Sequence, residues 1–348
     1  MSVEKHQREG SAGRLAFFDS IRVVLTALVI FHHSASTYGG AGSWYWREQA
    51  SNSSTALVAF NAINQSFFMG FFFLIAGYFT VPALAGHGAT HFMRGRLIRL
   101  GIPLLVFFFI ISPFTVALAE IARGEPLLAT FLFLIKSAQF EPGPLWFVMA
   151  LLIFSGIYAA LIKLFDRFSS VSALPAFHQL ALAGIATGIV SFVVRLWMPV
   201  GESVFWLQLG YFPLYAFFYF SGCVAYRERV LECIVFKKVL PWILVSALAL
   251  VSLPFALKGA LGDGAFEGGF SLNAFYYALW DPAVAFGVVL GMLWLFRRFF
   301  NDRSKVVHFL GRRAYAVYII HPPVLVAVAL LLSNWAVHPI LKTLVAGL

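Results

Sequence analysis

The chain is dominated by apolar blocks of about twenty residues, near 17–38, 56–80, 100–119, 144–162, 180–200, 203–226, 239–257, 272–296 and 314–333. Blocks of that length are what a hydrocarbon core of roughly 30 Å demands of a helix. Inside that core no water satisfies backbone groups, so spanning segments are helices or closed barrels. The blocks lack the two-residue alternation of a barrel strand, which leaves helices. Composition agrees. The chain is 61% hydrophobic and 11% charged, with mean hydropathy +0.85, whereas soluble domains carry about 25% charged residues. The expected fold is an all-α, polytopic integral membrane helix bundle with about 9–10 transmembrane helices. Residues 1–348 read as one membrane domain, with 1–14 as a cytoplasmic N-terminal tail.

A net charge of +10 and a pI near 9.8 would suggest nucleic acid as a partner of a soluble protein. Here the basic residues follow the loops. Lys5, Arg8 and Arg14 precede the first block, and Arg94, Arg96 and Arg99 separate the second and third. Lys163 and Arg167 follow the fourth, and Arg227, Arg229, Lys237 and Lys238 follow the sixth. Arg297, Arg298, Arg303, Lys305, Arg312 and Arg313 lie between the eighth and ninth. With the N-terminus cytoplasmic and one crossing per block, these 18 of the 25 Lys and Arg fall inside, as the positive-inside rule requires. No nucleic-acid partner is expected, and the location is a multi-pass inner or plasma membrane.

Two stretches do not fit the count. Residues 126–140 are apolar but short and carry Lys136, so they read as an interfacial or re-entrant piece on the outer side. Trp335–Leu348 is too short to span. Residues 17–31 resemble a signal-peptide core, but Asp19 and Arg22 interrupt it, which makes it an uncleaved first span. Cys223 and Cys233 have neither metal-ligand spacing nor the makings of a disulfide framework, so no metal is expected.

Ionisable residues within spans are costly, and each is a candidate functional group. Arg195 and Asp281 lie in the fifth and eighth blocks and His321 in the ninth. The first block holds four: Asp19, Arg22, His32 and His33. Arg22 and His33 are eleven residues apart, about 16 Å along a helix and close to three turns, so they share a face. Asp19 and Ser36 extend that face at its two ends. One reading has Asp19 and Arg22 snorkelling to the inner interface while the histidines cap the outer end. The other is a polar stripe across the bilayer, with neutral imidazole suited to general-base work near pH 7. His321 reads equally well as a second catalytic group or as a helix–helix hydrogen-bond partner. Asp281 reads more readily as structural. The cluster Arg94, Arg96 and Arg99 is either an ordinary inside-loop cluster or a phosphate clamp.

Several segments together resemble one family. Phe18-Asp19-Ser20-Ile21-Arg22 through His33 is similar to the opening of the acyltransferase-3 family, whose first helix carries an Arg, ten residues, then His. The run Phe71–Phe79 resembles that family's second-helix signature, and Arg96-Leu97-Ile98-Arg99 with Pro103 its arginine motif. Gly95 stands where the motif usually has a second adjacent arginine. Pro144-Leu145-Trp146-Phe147 and Leu310-Gly311 through Tyr318 and His321 match later landmarks, in collinear order. The glucan-modifying subgroup, associated with succinyl transfer, looks nearest.

The resemblance implies transfer of an acetyl or succinyl group from cytoplasmic acyl-CoA, as co-substrate and without a further cofactor, to a hydroxyl of an extracytoplasmic glycan. It implies catalytic roles for His33, Arg22 and Asp19, and substrate-binding roles for Arg94, Arg96, Arg99, His32, Trp146 and His321. The alternatives are a transporter or flippase that uses the polar stripe as a proton relay, and a membrane scaffold without chemistry.

Overall fold

The computed structural model describes residues 16–48, 54–86, 88–162, 174–227, 230–232, 234–256, 264–301 and 304–348. The proposed tail 1–14, Cys233 and the basic residues Lys163, Arg167, Arg229 and Arg303 lie outside them. Among the described residues there is no strand, and Val204 and Leu207 form an isolated bridge. The helices are α1 (Ala16–Thr37), α2 (Thr55–Ala85), α3 (Gly88–Arg123), α4 (Leu127–Lys136), α5 (Gly143–Ala160) and α6 (Phe177–Arg195). They continue as α7 (Phe212–Arg227), α8 (Phe236–Phe255), α9 (Leu272–Phe299), α10 (Lys305–Leu331) and α11 (Pro339–Gly347). Eight of these are long and apolar enough to cross a membrane.

Two parts of the expected span pattern differ. The block at 203–226 is helical only from Leu209, first as a 3-10 turn and then as the 16-residue α7. α3 begins well before residue 100 and contains two π turns, Leu97–Gly101 and Phe107–Ile111. Each ends two residues before a proline, Pro103 or Pro113. A proline lacks the N–H of the regular ladder and its ring crowds the carbonyl four residues back. The wider turn accommodates both effects and lets the helix continue. The short apolar stretch at 126–140 forms α4, with ten residues too short to span.

The outer helices show a lipid-facing surface. On α6 the exposed apolar residues include Leu182, Ile185, Ile189 and Val193, and on α8 they include Leu244, Leu248, Val251 and Phe255. Steps of three and four place each set on one helical face. Water would penalise such faces, while lipid does not.

The centre is held by small-residue contacts. A Cβ on Gly77 of α2 would collide with the carbonyl oxygen of Tyr219 on α7, and one on Gly222 of α7 would collide with that of Leu74. The two backbones therefore touch at reciprocal glycines, the way helices associate where burial from water gives no drive. α1 lies between α2, α10 and α11. Asn64 Nδ2 donates to Leu28 O at 3.2 Å, and Ser34 Oγ donates to Thr343 O at 2.9 Å.

Candidate active site

α1 and α10 lie side by side, and their polar residues meet at two levels. At the first level Arg22 Nη1 is 3.1 Å from Asp19 Oδ1, and its guanidinium lies 4.6 Å from the centre of the Phe79 ring. Asp19 Oδ2 is 3.5 Å from His308 Nδ1. Gly311 leaves room for the Asp19 side chain, since a Cβ there would sit 3.0 Å from that of Asp19. Three separated segments, the Asp19–Arg22 pair, the Phe71–Phe79 run and the stretch of α10 at Gly311, thus converge. The ion pair is part-exposed, with Arg22 and Asp19 side chains 32% and 27% accessible, so it remains reachable from one end of the bundle.

At the second level His33 and His321 stack with ring centres 5.3 Å apart and planes 17° apart. The Trp44 ring stacks on His33 at 4.0 Å and lies 5.9 Å from His321. The Nδ1–H of His321 donates to Tyr318 O at 2.7 Å, because a carbonyl can only accept. The neutral ring therefore keeps its free lone pair on Nε2. His33 Nδ1, His321 Nε2 and Trp44 Nε1 are all buried and bond to no described residue. Buried polar groups are normally satisfied, so three unsatisfied ones in a single aromatic cluster mark a place where a polar ligand would be received. The Tyr315 hydroxyl, also buried and without a partner among the described residues, lies on α10 between the Gly311 and His321 levels.

Surrounding residues fix this cluster. Ser36 Oγ donates to Ala41 O at 2.8 Å, and Asn61 Nδ2 reaches the same carbonyl at 2.6 Å, so the chain after α1 turns back over the histidines. The Tyr318 hydroxyl donates to the carbonyl of Pro144, which ties α10 to the start of α5. Tyr45 lies 3.3 Å from Ser112 Oγ. Burial pushes the Tyr45 hydroxyl up, so it stays protonated. Burial likewise pushes the Glu141 carboxyl above its ordinary value.

The remaining expected site residues fall elsewhere. His32 turns toward α2 and stacks on Phe68 at 5.2 Å. Trp146 stacks on Tyr215 at 5.6 Å, two residues beyond the Pro144 carbonyl that Tyr318 holds. The arginines divide. Arg96 Nη2 donates to Thr80 Oγ1 at 2.9 Å, and Thr80 in turn bonds Tyr219, so Arg96 faces the bundle. Arg94 and Arg99 are exposed. Arg94 lines an open, largely apolar groove of about 750 Å3 between α3 and α5, with Met93, Ile98, Gly156 and Ala160. Arg195 and Asp281 pair with each other at 2.5 Å, 1% and 2% exposed, away from the histidines. Among the described residues no three His, Cys, Asp or Glu side chains are grouped to hold a metal ion.

The sequence does not mark Trp44 or Tyr315, and it marks Tyr318 only as part of a family landmark. Trp44 lies in a non-periodic loop, Trp44-Tyr45-Trp46, where aromatic residues read as interfacial anchors. On α10 the Tyr315 and Tyr318 spacing before His321 points to a shared face without saying what that face meets.

Eight apolar helices, with polar groups of α1 and α10 meeting at two levels, define a multi-pass membrane protein. Residues 15–348 match the Acyltransferase domain, and the chain belongs to the acyltransferase-3 family of membrane acyltransferases. It is similar to "Glucans biosynthesis protein C" of Salmonella typhi, 23% identical over 326 residues that cover 90% of this chain and 82% of the relative. The protein of that name from Salmonella typhimurium matches to the same extent. Its namesake from Escherichia coli (strain K12 / DH10B) is 36% identical over 94 residues, which cover 27% of this chain and 24% of that protein. No solved structure matches.

Proposed function

We propose that this chain moves an acetyl or succinyl group from acyl-CoA at its cytoplasmic, basic face to a hydroxyl of a glycan beyond the membrane. The observation that carries this reading is the pair of polar levels on α1 and α10: an accessible Arg22–Asp19 pair at one end and the His33–His321–Trp44 cluster nearer the other. The family supplies acyl transfer. The relatives' name, which refers to glucans biosynthesis, supports a glycan acceptor, and the excess of Lys and Arg in loops assigned to the inside supports the orientation.

In this mechanism the acceptor hydroxyl gives its proton to His33 as its oxygen forms a bond to the thioester carbonyl carbon. The carbon–sulfur bond then breaks, and the proton held by His33 leaves with the CoA sulfur as a thiol. His321 Nε2 accepts a hydrogen bond from a neighbouring sugar hydroxyl. Trp44 Nε1–H donates to a sugar oxygen. Arg22 is about 16 Å from His33 along the helix, too far to touch the same carbonyl. It steadies the arm of the donor instead, with Asp19 orienting the guanidinium. Arg94, Arg96 and Arg99 offer charge to CoA phosphates.

The test is to supply radiolabelled acyl-CoA to membranes that contain the wild type or His33→Ala, and to follow label into glycan. The reading expects wild-type labelling and near-complete loss in the variant at equal membrane content. Full labelling by His33→Ala refutes the role of His33. Movement of unmodified glycan without labelling would favour a flippase.

A further inference from the structure

Lys342 is a lone charge on the otherwise apolar α11, and its side chain is only 5% exposed. It touches both ends of the segment 38–48, which roofs the histidines. Its Nζ lies 2.5 Å from Glu48 Oε1 at the far end, and 5.8 Å from the centre of the Tyr38 ring at the near end. Glu48 is 12% exposed, so the pair is largely withdrawn from solvent. Between those ends sits Trp44, stacked on His33. Inside the segment Arg47 Nη2 and Nη1 donate to Gly40 O and Gly42 O, at 2.7 and 3.0 Å. The segment is thus internally braced, and at its far end Glu48 N also donates to Thr37 O at 3.0 Å. The last helix reaches both ends of the segment.

A withdrawn ion pair contributes little net stability compared with apolar residues of similar size, but breaking one partner away is costly. Such a pair is therefore better suited to fixing a geometry than to strengthening the fold. We propose that Lys342 and Glu48 are positioning residues. Their ion pair latches the 38–48 roof, holds Trp44 against His33, and so shapes the outer mouth through which the acceptor hydroxyl enters. This rests on the acyl-transfer reading for its consequence and on the contacts alone for its geometry.

The test uses full-length protein in detergent or liposomes as Lys342→Met, Glu48→Gln, and the charge swap Glu48→Lys with Lys342→Glu. Two readouts are taken: hydrogen exchange of the 38–48 amides, which needs no substrate, and KM values for acceptor and donor. The latch predicts faster exchange in 38–48 and an acceptor KM raised about tenfold in each single variant, with the donor KM unchanged. The swap should return both toward wild type. Exchange at the wild-type rate in both single variants overturns the latch, as does a swap that recovers nothing. An equal change in donor and acceptor KM also overturns it, since that marks a general defect. If exchange responds as predicted in a protein that transfers no acyl group, the latch stands and the functional reading falls.

Discussion

The Nδ1–H of His321 is committed to the carbonyl of Tyr318, 2.7 Å away in the same helix. That bond assigns a different part to each histidine of the pair. His321 keeps an acceptor at Nε2, and a flip of its ring would put a carbon where Nδ1 now meets the Tyr318 carbonyl. The pair is therefore asymmetric.

Removing the general base from such a site typically costs 10²–10⁴-fold in rate. His33→Ala should lose that much in kcat while still assembling in the membrane. His321→Asn keeps an amide N–H that can serve the Tyr318 carbonyl but has no acceptor in the place of Nε2. Losing one hydrogen bond to substrate, about 1–2 kcal/mol, corresponds to roughly 5–30-fold. That loss should fall mainly on acceptor KM. Steady-state kinetics of the two variants would contradict the assignment if His321→Asn, not His33→Ala, lost the larger share of kcat.

Arg195 and Asp281 supply a prediction about stability. Arg195 Nη2 pairs with Asp281 at 2.5 Å, and its Nε donates to Gly210 O at 3.0 Å, all within the apolar interior. Arg195→Met leaves the Asp281 carboxylate without its counter-charge, at a cost of about 3–5 kcal/mol. The double change Arg195→Met with Asp281→Leu should recover most of that. Denaturation in detergent would show this as a non-additive cycle; two additive losses would argue that the pair is not coupled.

The crossing of α2 and α7 gives a steric prediction. Any side chain at Gly77 meets the Tyr219 carbonyl, a backbone atom that cannot rotate away. Gly77→Ala should lower stability by about 1–3 kcal/mol, as overpacking usually does. Gly95→Ala, where a Cβ meets nothing within 4 Å, should be silent by comparison. Melting temperatures of the purified variants would check the contrast.

Glu141 ties the outer loops to pH. Burial raises its carboxyl above the ordinary 4.5, so the fold favours the uncharged form. Its stabilising contribution is complete below that ordinary value and is lost as pH rises through the raised one. Glu141→Gln is uncharged throughout. It should melt higher than wild type at pH 8 and no higher at pH 4. A gain independent of pH would point to a cause other than ionisation.

The spans were readable because lipid imposes length and apolarity on each helix separately, and α2, α5 and α8 fall within a few residues of their expected blocks. The start of α7 was not. Phe205 and Trp206 are as apolar as a span but take positive φ of 48° and 62°, a conformation bulky residues adopt only when surroundings impose it. The shared face of Arg22 and His33 was legible because both lie on one helix with a fixed period. The pairing of His33 with His321, and of Glu48 with Lys342, joins residues hundreds of positions apart, and nothing local to either announces the other. The arginine cluster was legible as charge but not as geometry. Arg96, which faces inward, immediately precedes a π turn, and exposed Arg99 lies within it.

The account stands or falls on a single passage linking the Arg22 end of α1 to the His33 end. The purified chain, reconstituted in sealed liposomes of determined orientation, should be given labelled acyl-CoA only at the Arg22 side and glycan only at the His33 side. The account predicts labelled glycan in the acceptor compartment, absent with His33→Ala and with donor and acceptor compartments exchanged. Labelling only when both substrates share one compartment would contradict it.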